Sequence, residues 1–218
     1  MTTILIVILA VGLLLGLIRA ETSEQPWRIL CFKTPLSLLF IAVWFLQRHP
    51  NVPYAALILI GLICCLAGDV LLAFDSPRPF LMGLVSFLLG HIAYSAAFFA
   101  VGGLGPWMAS GVLFVMAAGG SIWRWLSPHL DDMAMPVLAY IVVISIMVCG
   151  AWSIAGISII PSSTRAGIVG GAALFYLSDI CVARQRFIKK AHVNRLAGLP
   201  LYYAAQFLLS FTSGGVPA

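Results

Sequence analysis

Apolar segments long enough to cross a bilayer, which takes about 17–25 residues, follow one another along this whole chain. They fall near residues 2–18, 29–46, 54–74, 80–101, 105–126, 134–157, 165–184 and 197–213. A lipid interior offers no water to backbone amides and carbonyls, so such runs must pair them internally, as helices. The expected fold is all-α: one integral membrane domain over residues 1–218, a polytopic transmembrane bundle of eight helices. Turn residues mark the breaks at Glu21–Pro26, His49–Pro53, Asp75–Pro79, Gly102–Pro106, Ser127–Asp132, Pro161–Thr164 and Lys189–Gly198. These breaks are too short to hold a soluble domain. Only 9% of the 218 residues are charged, against about 25% in soluble domains.

The net charge of +5 does not point to nucleic acid, because most cations lie in the short breaks. There they report topology. Breaks after the odd-numbered segments hold Arg19, Arg28, Arg78, Arg124, Arg184, Arg186, Lys189, Lys190 and Arg195, nine against Arg48 and Arg165 on the other side. The positive-inside rule then expects both termini outside the cytoplasm. The first segment has no basic residue before its apolar run, so it reads as a retained helix and not as a signal peptide. All five cysteines (Cys31, Cys64, Cys65, Cys149 and Cys181) fall in or beside apolar runs and read as small buried hydrophobes.

Two aspartates break the apolar pattern. Asp69 lies in the third segment and Asp179 in the seventh. A carboxylate at the centre of a membrane helix costs on the order of 2.5–3.5 kcal/mol on insertion scales, so such residues face a protein interior or an aqueous cavity. Asp69, Asp179 and Lys33 each stand five residues from the basic end of their segments, roughly 7–8 Å deep at 1.5 Å per residue. Two carboxylates brought together in a low-dielectric cleft cannot both ionise cheaply. One keeps its proton and stands beside a carboxylate base, which is equipment for general acid–base chemistry. The bland alternative is a pair of structural anchors. Lys33 has two readings: a partner for an aspartate or a lipid phosphate, or a side chain that snorkels to the interface.

In the fourth segment Gly83, Phe87, Gly90, His91 and Tyr94 form one helical stripe. His91 lies about 18 Å deep by the same measure, and a core histidine with ordinary hydrogen bonds is its bland reading. The other histidines lie in breaks, which supports no zinc site. Asp69 to Tyr94 is 25 residues and Asp179 to Tyr203 is 24, which has two readings: a parallel four-plus-four repeat, or chance similarity between apolar helices. The cluster of Arg184, Arg186, Lys189, Lys190, His192 and Arg195 fits anionic headgroups or topology alone.

In chain order, the pieces Lys33-Thr34-Pro35-Leu36, Gly68-Asp69-Val70-Leu71-Leu72, Phe87-Leu88-Leu89-Gly90-His91-Ile92-Ala93-Tyr94, Pro136-Val137-Leu138-Ala139-Tyr140, Gly171 to Asp179, and Tyr202-Tyr203-Ala204-Ala205-Gln206 resemble the YhhN-like lysoplasmalogenase family. Thr34 separates Lys33 from Pro35, which family members often have adjacent, so the role of Lys33 stays open.

The resemblance implies hydrolysis of the sn-1 vinyl ether of a lysophospholipid, releasing a fatty aldehyde and glycerophosphoethanolamine or glycerophosphocholine. Asp69 and Asp179 are the catalytic candidates. Lys33, His91, Tyr94, Tyr140, Ser178, Tyr203 and Gln206 are the pocket candidates. The chemistry requires no cofactor and no metal. The implied setting is a bacterial inner (plasma) membrane, with membrane lipids as surroundings. Proton-coupled transport of a small molecule or lipid is the competing reading, because carriers also use intramembrane acids.

Overall fold

Four of the segments announce their starts with a proline in the first helical turn, Pro26, Pro53, Pro77 and Pro106. Proline is suited there because its missing N–H would have no helical acceptor. The structure, a computed structural model, describes residues 2–23 and 25–218; Met1, and Glu24 within the first break, lie outside the described residues. The helices are α1 (Thr2–Glu21), α2 (Pro26–Phe45), α3 (Val52–Leu71), α4 (Pro77–Gly102), α5 (Pro106–Leu126), α6 (Ala134–Ile154), α7 (Ser162–Ala183) and α8 (His192–Thr212). A π-helical turn, Arg184–Ile188, extends α7. Asn51 accepts a hydrogen bond from the Tyr54 amide at 3.1 Å and caps α3.

A helix of 20 residues is about 30 Å long, the thickness of a hydrocarbon core. Seven of the eight helices, α1 to α7, are long and apolar enough to cross a membrane, and the chain is an integral membrane protein. α8 has the length but not the apolarity. It buries Asn194, Tyr202, Tyr203, Gln206, Ser210 and Thr212, and it packs against α7, α2, α1 and α3. Enclosure by neighbours lets α8 carry polar side chains that a lipid-facing helix could not.

The packing closes a ring in the order α2, α3, α4, α6, α7, α8 and back to α2. α1 leans on α2 and α8 from outside, and α5 leans on α6. These two outer helices expose Ile4, Leu5 and Ile8, and Leu113, Phe114 and Met116, respectively. In water such faces would be anomalous; against lipid they are the expected surface.

The α3–α4 pair approaches closely at Gly61, where a β-carbon would fall inside contact distance of the Tyr94 ring. Tyr94 has no room to retreat: it is fully buried, bonded to Gln206 at 2.7 Å and stacked near Phe98. Gly61→Ala is therefore expected to destabilise the fold by about 1–3 kcal/mol, the usual cost of overpacking. A lowered thermal unfolding midpoint in detergent micelles is the check, and an unchanged midpoint would refute it.

Candidate active site

Asp69 stands two residues before the end of α3 and is 1% exposed. A buried carboxylate needs partners for its oxygens, and two helices deliver them. α2 presents Lys33 and Ser37, which are one helical turn apart and so share a face. α8 presents Tyr202. Ser37 Oγ donates to Asp69 Oδ2 at 2.6 Å, and Tyr202 OH donates to the same oxygen at 2.7 Å. Lys33 Nζ lies 3.5 Å from Oδ1. Tyr203 OH joins from behind, 3.3 Å from Ser37 Oγ. The helices that supply these groups each contain a proline, Pro35 in α2 and Pro200 in α8.

Asp179 on α7 is held differently. Tyr140 of α6 donates to Oδ2 at 2.9 Å, and His91 Nε2 of α4 lies 3.2 Å from the same oxygen. The tyrosine hydroxyl and the imidazole are themselves 2.9 Å apart. A hydroxyl donates once, so Tyr140 to Asp179 leaves His91 Nε2–H to serve the carboxylate as well. His91 Nδ1 is buried without a partner. Asp179 Oδ1 has no hydrogen-bond partner among the described residues, and this side chain is 18% exposed against 2% for Asp69. Each carboxylate thus has its own set of partners, and no hydrogen bond joins the two.

Both aspartates line one cavity of about 310 Å³ at the basic end of the bundle, with Lys33, Tyr140, Ser178 and Tyr202. Its apolar wall comes from Ile122, Leu126, Val137, Ile141 and Ile144 of α5 and α6. Its rim is charged. Glu21 and Arg195 form an ion pair that ties α1 to α8, and Arg195 also donates to the Glu21 carbonyl at 2.9 Å. Arg184 donates to Asn194. Asp75, between α3 and α4, receives Lys190 at 2.8 Å and Arg186 at 3.3 Å. The Lys190 hydrogen bond chiefly holds the Asp75 carboxyl below its ordinary value of 3.8, against the opposing push of partial burial. A carboxyl lowered on folding stabilises the fold above its ordinary value and loses that contribution as pH falls through the lowered one. The clasp is therefore complete at neutral pH. Among the described residues, no three His, Cys, Asp or Glu side chains converge as metal ligands.

Of the residues singled out from sequence, Lys33, Asp69, Tyr140, Ser178 and Asp179 line the cavity. Ser178 spends its hydroxyl on the Gly198 carbonyl at 3.0 Å, tying α7 to α8. Tyr94 and Gln206 bond to each other at 2.7 Å, and with His91 and Tyr203 they are not among the lining residues. Ser37 and Tyr202 were not anticipated as site residues. Ser37 is signalled by its one-turn spacing from Lys33, and Tyr202 by its one-turn spacing from Gln206.

Depth counted from the nearest basic residue misplaces Asp179, set at roughly 7–8 Å against about 18 Å for His91. The two side chains touch at 3.2 Å. The helical path beyond Asp179 continues nine residues to Ile188, so Asp179 lies about 13 Å from that end. Tyr202 is likewise ten residues into α8, about 15 Å. The polar layer is deeper than the arginines imply.

Fold and site together define a polytopic membrane protein with an acid-lined pocket closed by a charged rim. The chain belongs to the YhhN family, whose model matches residues 27–213. It is 29% identical over 183 residues to lysoplasmalogenase TMEM86A of Bos taurus, covering 82% of this chain and 72% of the relative. It is 31% identical over 185 residues to lysoplasmalogenase TMEM86B of Rattus norvegicus, with 82% and 70% covered. A lysoplasmalogenase of Mycobacterium tuberculosis (strain CDC 1551 / Oshkosh) is 30% identical over 190 residues, with 82% and 67% covered. No solved structure matches the chain at a significant level.

Proposed function

We propose that the chain is a lysoplasmalogenase that hydrolyses the sn-1 vinyl ether of lysoplasmalogens, with Asp179 as the proton-transfer group and Asp69 as a fixed carboxylate beside it. The observation that carries this reading is the asymmetry of Asp179, a cavity-lining residue: Oδ2 is held by Tyr140 and His91 while Oδ1 has no hydrogen-bond partner among the described residues. Membership of a family whose relatives bear that enzyme name supports the substrate class.

The reaction is proton chemistry throughout. Asp179 gives its proton to the β-carbon of the vinyl ether, and positive charge develops on the α-carbon and the ether oxygen. The carboxylate left behind stabilises that cation in a site of low dielectric. Water adds to the α-carbon and returns a proton to Asp179. The hemiacetal then collapses: its hydroxyl loses a proton, the bond from carbon to the glycerol oxygen breaks, and that oxygen is protonated. Aldehyde and glycerophosphoethanolamine or glycerophosphocholine are the products. Asp69, bonded by Ser37 and Tyr202 and faced by Lys33, fixes the Tyr202 hydroxyl and the lysine charge in the same cavity. The basic end faces the cytoplasm and both termini face away from it, a placement supported by the nine-to-two bias of Lys and Arg.

The test is aldehyde release by purified protein in mild detergent from lysoplasmenylethanolamine and from its saturated-ether analogue. Aldehyde from the vinyl ether alone is the expected result. No aldehyde from folded protein would overturn the reading in favour of proton-coupled transport, for which proton flux in liposomes is the measurement.

A further inference from the structure

The charges around the cavity do not balance. Arg195 is matched by Glu21, and Arg184 is taken up by Asn194. Asp75, with a single charge, serves two cations, Arg186 and Lys190. Within this cavity-lining set, Asp75, Arg186 and Lys190, one positive charge is therefore left over, on the connection that follows Asp179. These three side chains line the same cavity as both aspartates.

We propose that Lys190 and Arg186 receive the phosphate of the substrate headgroup, and that Asp75, displaced from them, takes the headgroup's ammonium group. This rests on the function proposed above and assigns the site for the polar half of that substrate. The existing ion pair is easily exchanged, because Lys190 and Asp75 have side chains 62% and 66% exposed, and exposed pairs are weakly held. Arg186 is steadied without being neutralised: its guanidinium lies 4.2 Å over the Phe80 ring, a contact that fixes a cation while leaving its N–H groups free for an anion. The phosphoethanolamine or phosphocholine headgroup carries one negative and one positive charge, and the rim offers the complementary set.

The spacing agrees. Arg186 follows Asp179 by seven residues, about 10 Å of helix, which is the scale of a glycerol phosphodiester linkage. With the phosphate at Arg186 and Lys190, the vinyl ether reaches Asp179, and the alkyl chain lies along the apolar wall of α5 and α6. Headgroup recognition also explains why the excess charge sits on the cavity side of the connection. Topology alone would be served equally by Lys189, which does not line the cavity.

Binding and turnover are measured separately in a neutral detergent. The saturated-ether lysophosphoethanolamine, which cannot be cleaved, reports binding, with the corresponding alkylglycerol as the form without phosphate. Lys190→Gln and Arg186→Gln are each expected to weaken binding of the phospholipid about tenfold and to leave the alkylglycerol unaffected. Lys189→Gln, which changes net charge equally, is expected to bind both as the parent does. Asp75→Asn is expected to weaken the ethanolamine lipid more than the same lipid ending in a bare phosphate. In turnover, the rim variants raise KM and leave kcat nearly unchanged.

Equal losses for both ligands, or none for either, would overturn the proposal. So would an effect that appears only when anionic lipid is added, since the rim would then bind bulk lipid. Absence of aldehyde with the binding pattern intact would instead overturn the reaction and keep the rim.

Discussion

Asp179→Asn is expected to lower kcat for vinyl ether cleavage by about 10²- to 10⁴-fold, the usual contribution of a positioned acid or base. The amide cannot release a proton to carbon at neutral pH, yet it retains an oxygen that accepts from Tyr140 and His91. The pocket should therefore keep its shape, and KM should move little. A loss in kcat without a loss in binding marks an interaction made in the transition state. Comparison with Ser178→Ala isolates the chemistry, because Ser178 is the adjacent residue but bonds only to the Gly198 carbonyl. A variant Asp179→Asn that turned over at the parent rate would remove this residue from the reaction. Measuring aldehyde release at saturating substrate decides the matter.

The helices were legible because a bilayer demands a long apolar run, and that demand is written residue by residue. Starts were legible where proline stands in the first turn, as at Pro77 and Pro106. The ends were less so: α3 stops at Leu71, although the apolar run continues through Phe74, because helix termination depends on the turn that follows. Asp69 and Asp179 stood out because a charge in an apolar run is costly and must be compensated. Their partners did not stand out equally. Periodicity tells which residues share a face of one helix, as Lys33 and Ser37 do, but not which neighbouring helix that face meets. Tyr202 rather than Tyr203 reaches Asp69, and His91 reaches Asp179; both facts depend on crossing geometry that a single sequence does not carry.

One regularity does connect sequence and site. Asp69 on α3 is held from α2 and α8, and Asp179 on α7 is held from α6 and α4. Each aspartate is served by the helix before it and by the last helix of the other half. A parallel four-plus-four repeat in which the halves exchange their final helices would account for this arrangement. The halves then differ in chemistry where they correspond in position: lysine, serine and tyrosine surround Asp69, while tyrosine and histidine surround Asp179. That difference is the basis for the separate roles proposed for the two carboxylates.

Lys33→Met is expected to destabilise the protein by about 3–5 kcal/mol, the cost of leaving a buried charge without its partner. Lys33 and Asp69 have side chains 8% and 2% exposed, so water reaches them too little to replace the ammonium fully. Ser37 and Tyr202 supply hydrogen bonds to the carboxylate but no opposite charge. Adding Asp69→Asn removes the stranded charge, and the double variant Lys33→Met/Asp69→Asn should recover much of the loss, a coupling that a double-mutant cycle reads directly. Chemical unfolding in detergent micelles is the measurement. The sequence left Lys33 with two readings, and they predict different outcomes here. A lysine that merely snorkels to the interface loses little on substitution and shows no coupling to Asp69. A lysine that compensates the aspartate shows a large single loss and a large coupling. The 3.5 Å separation from Oδ1 and the enclosure of both groups favour the second, and an additive cycle would restore the first.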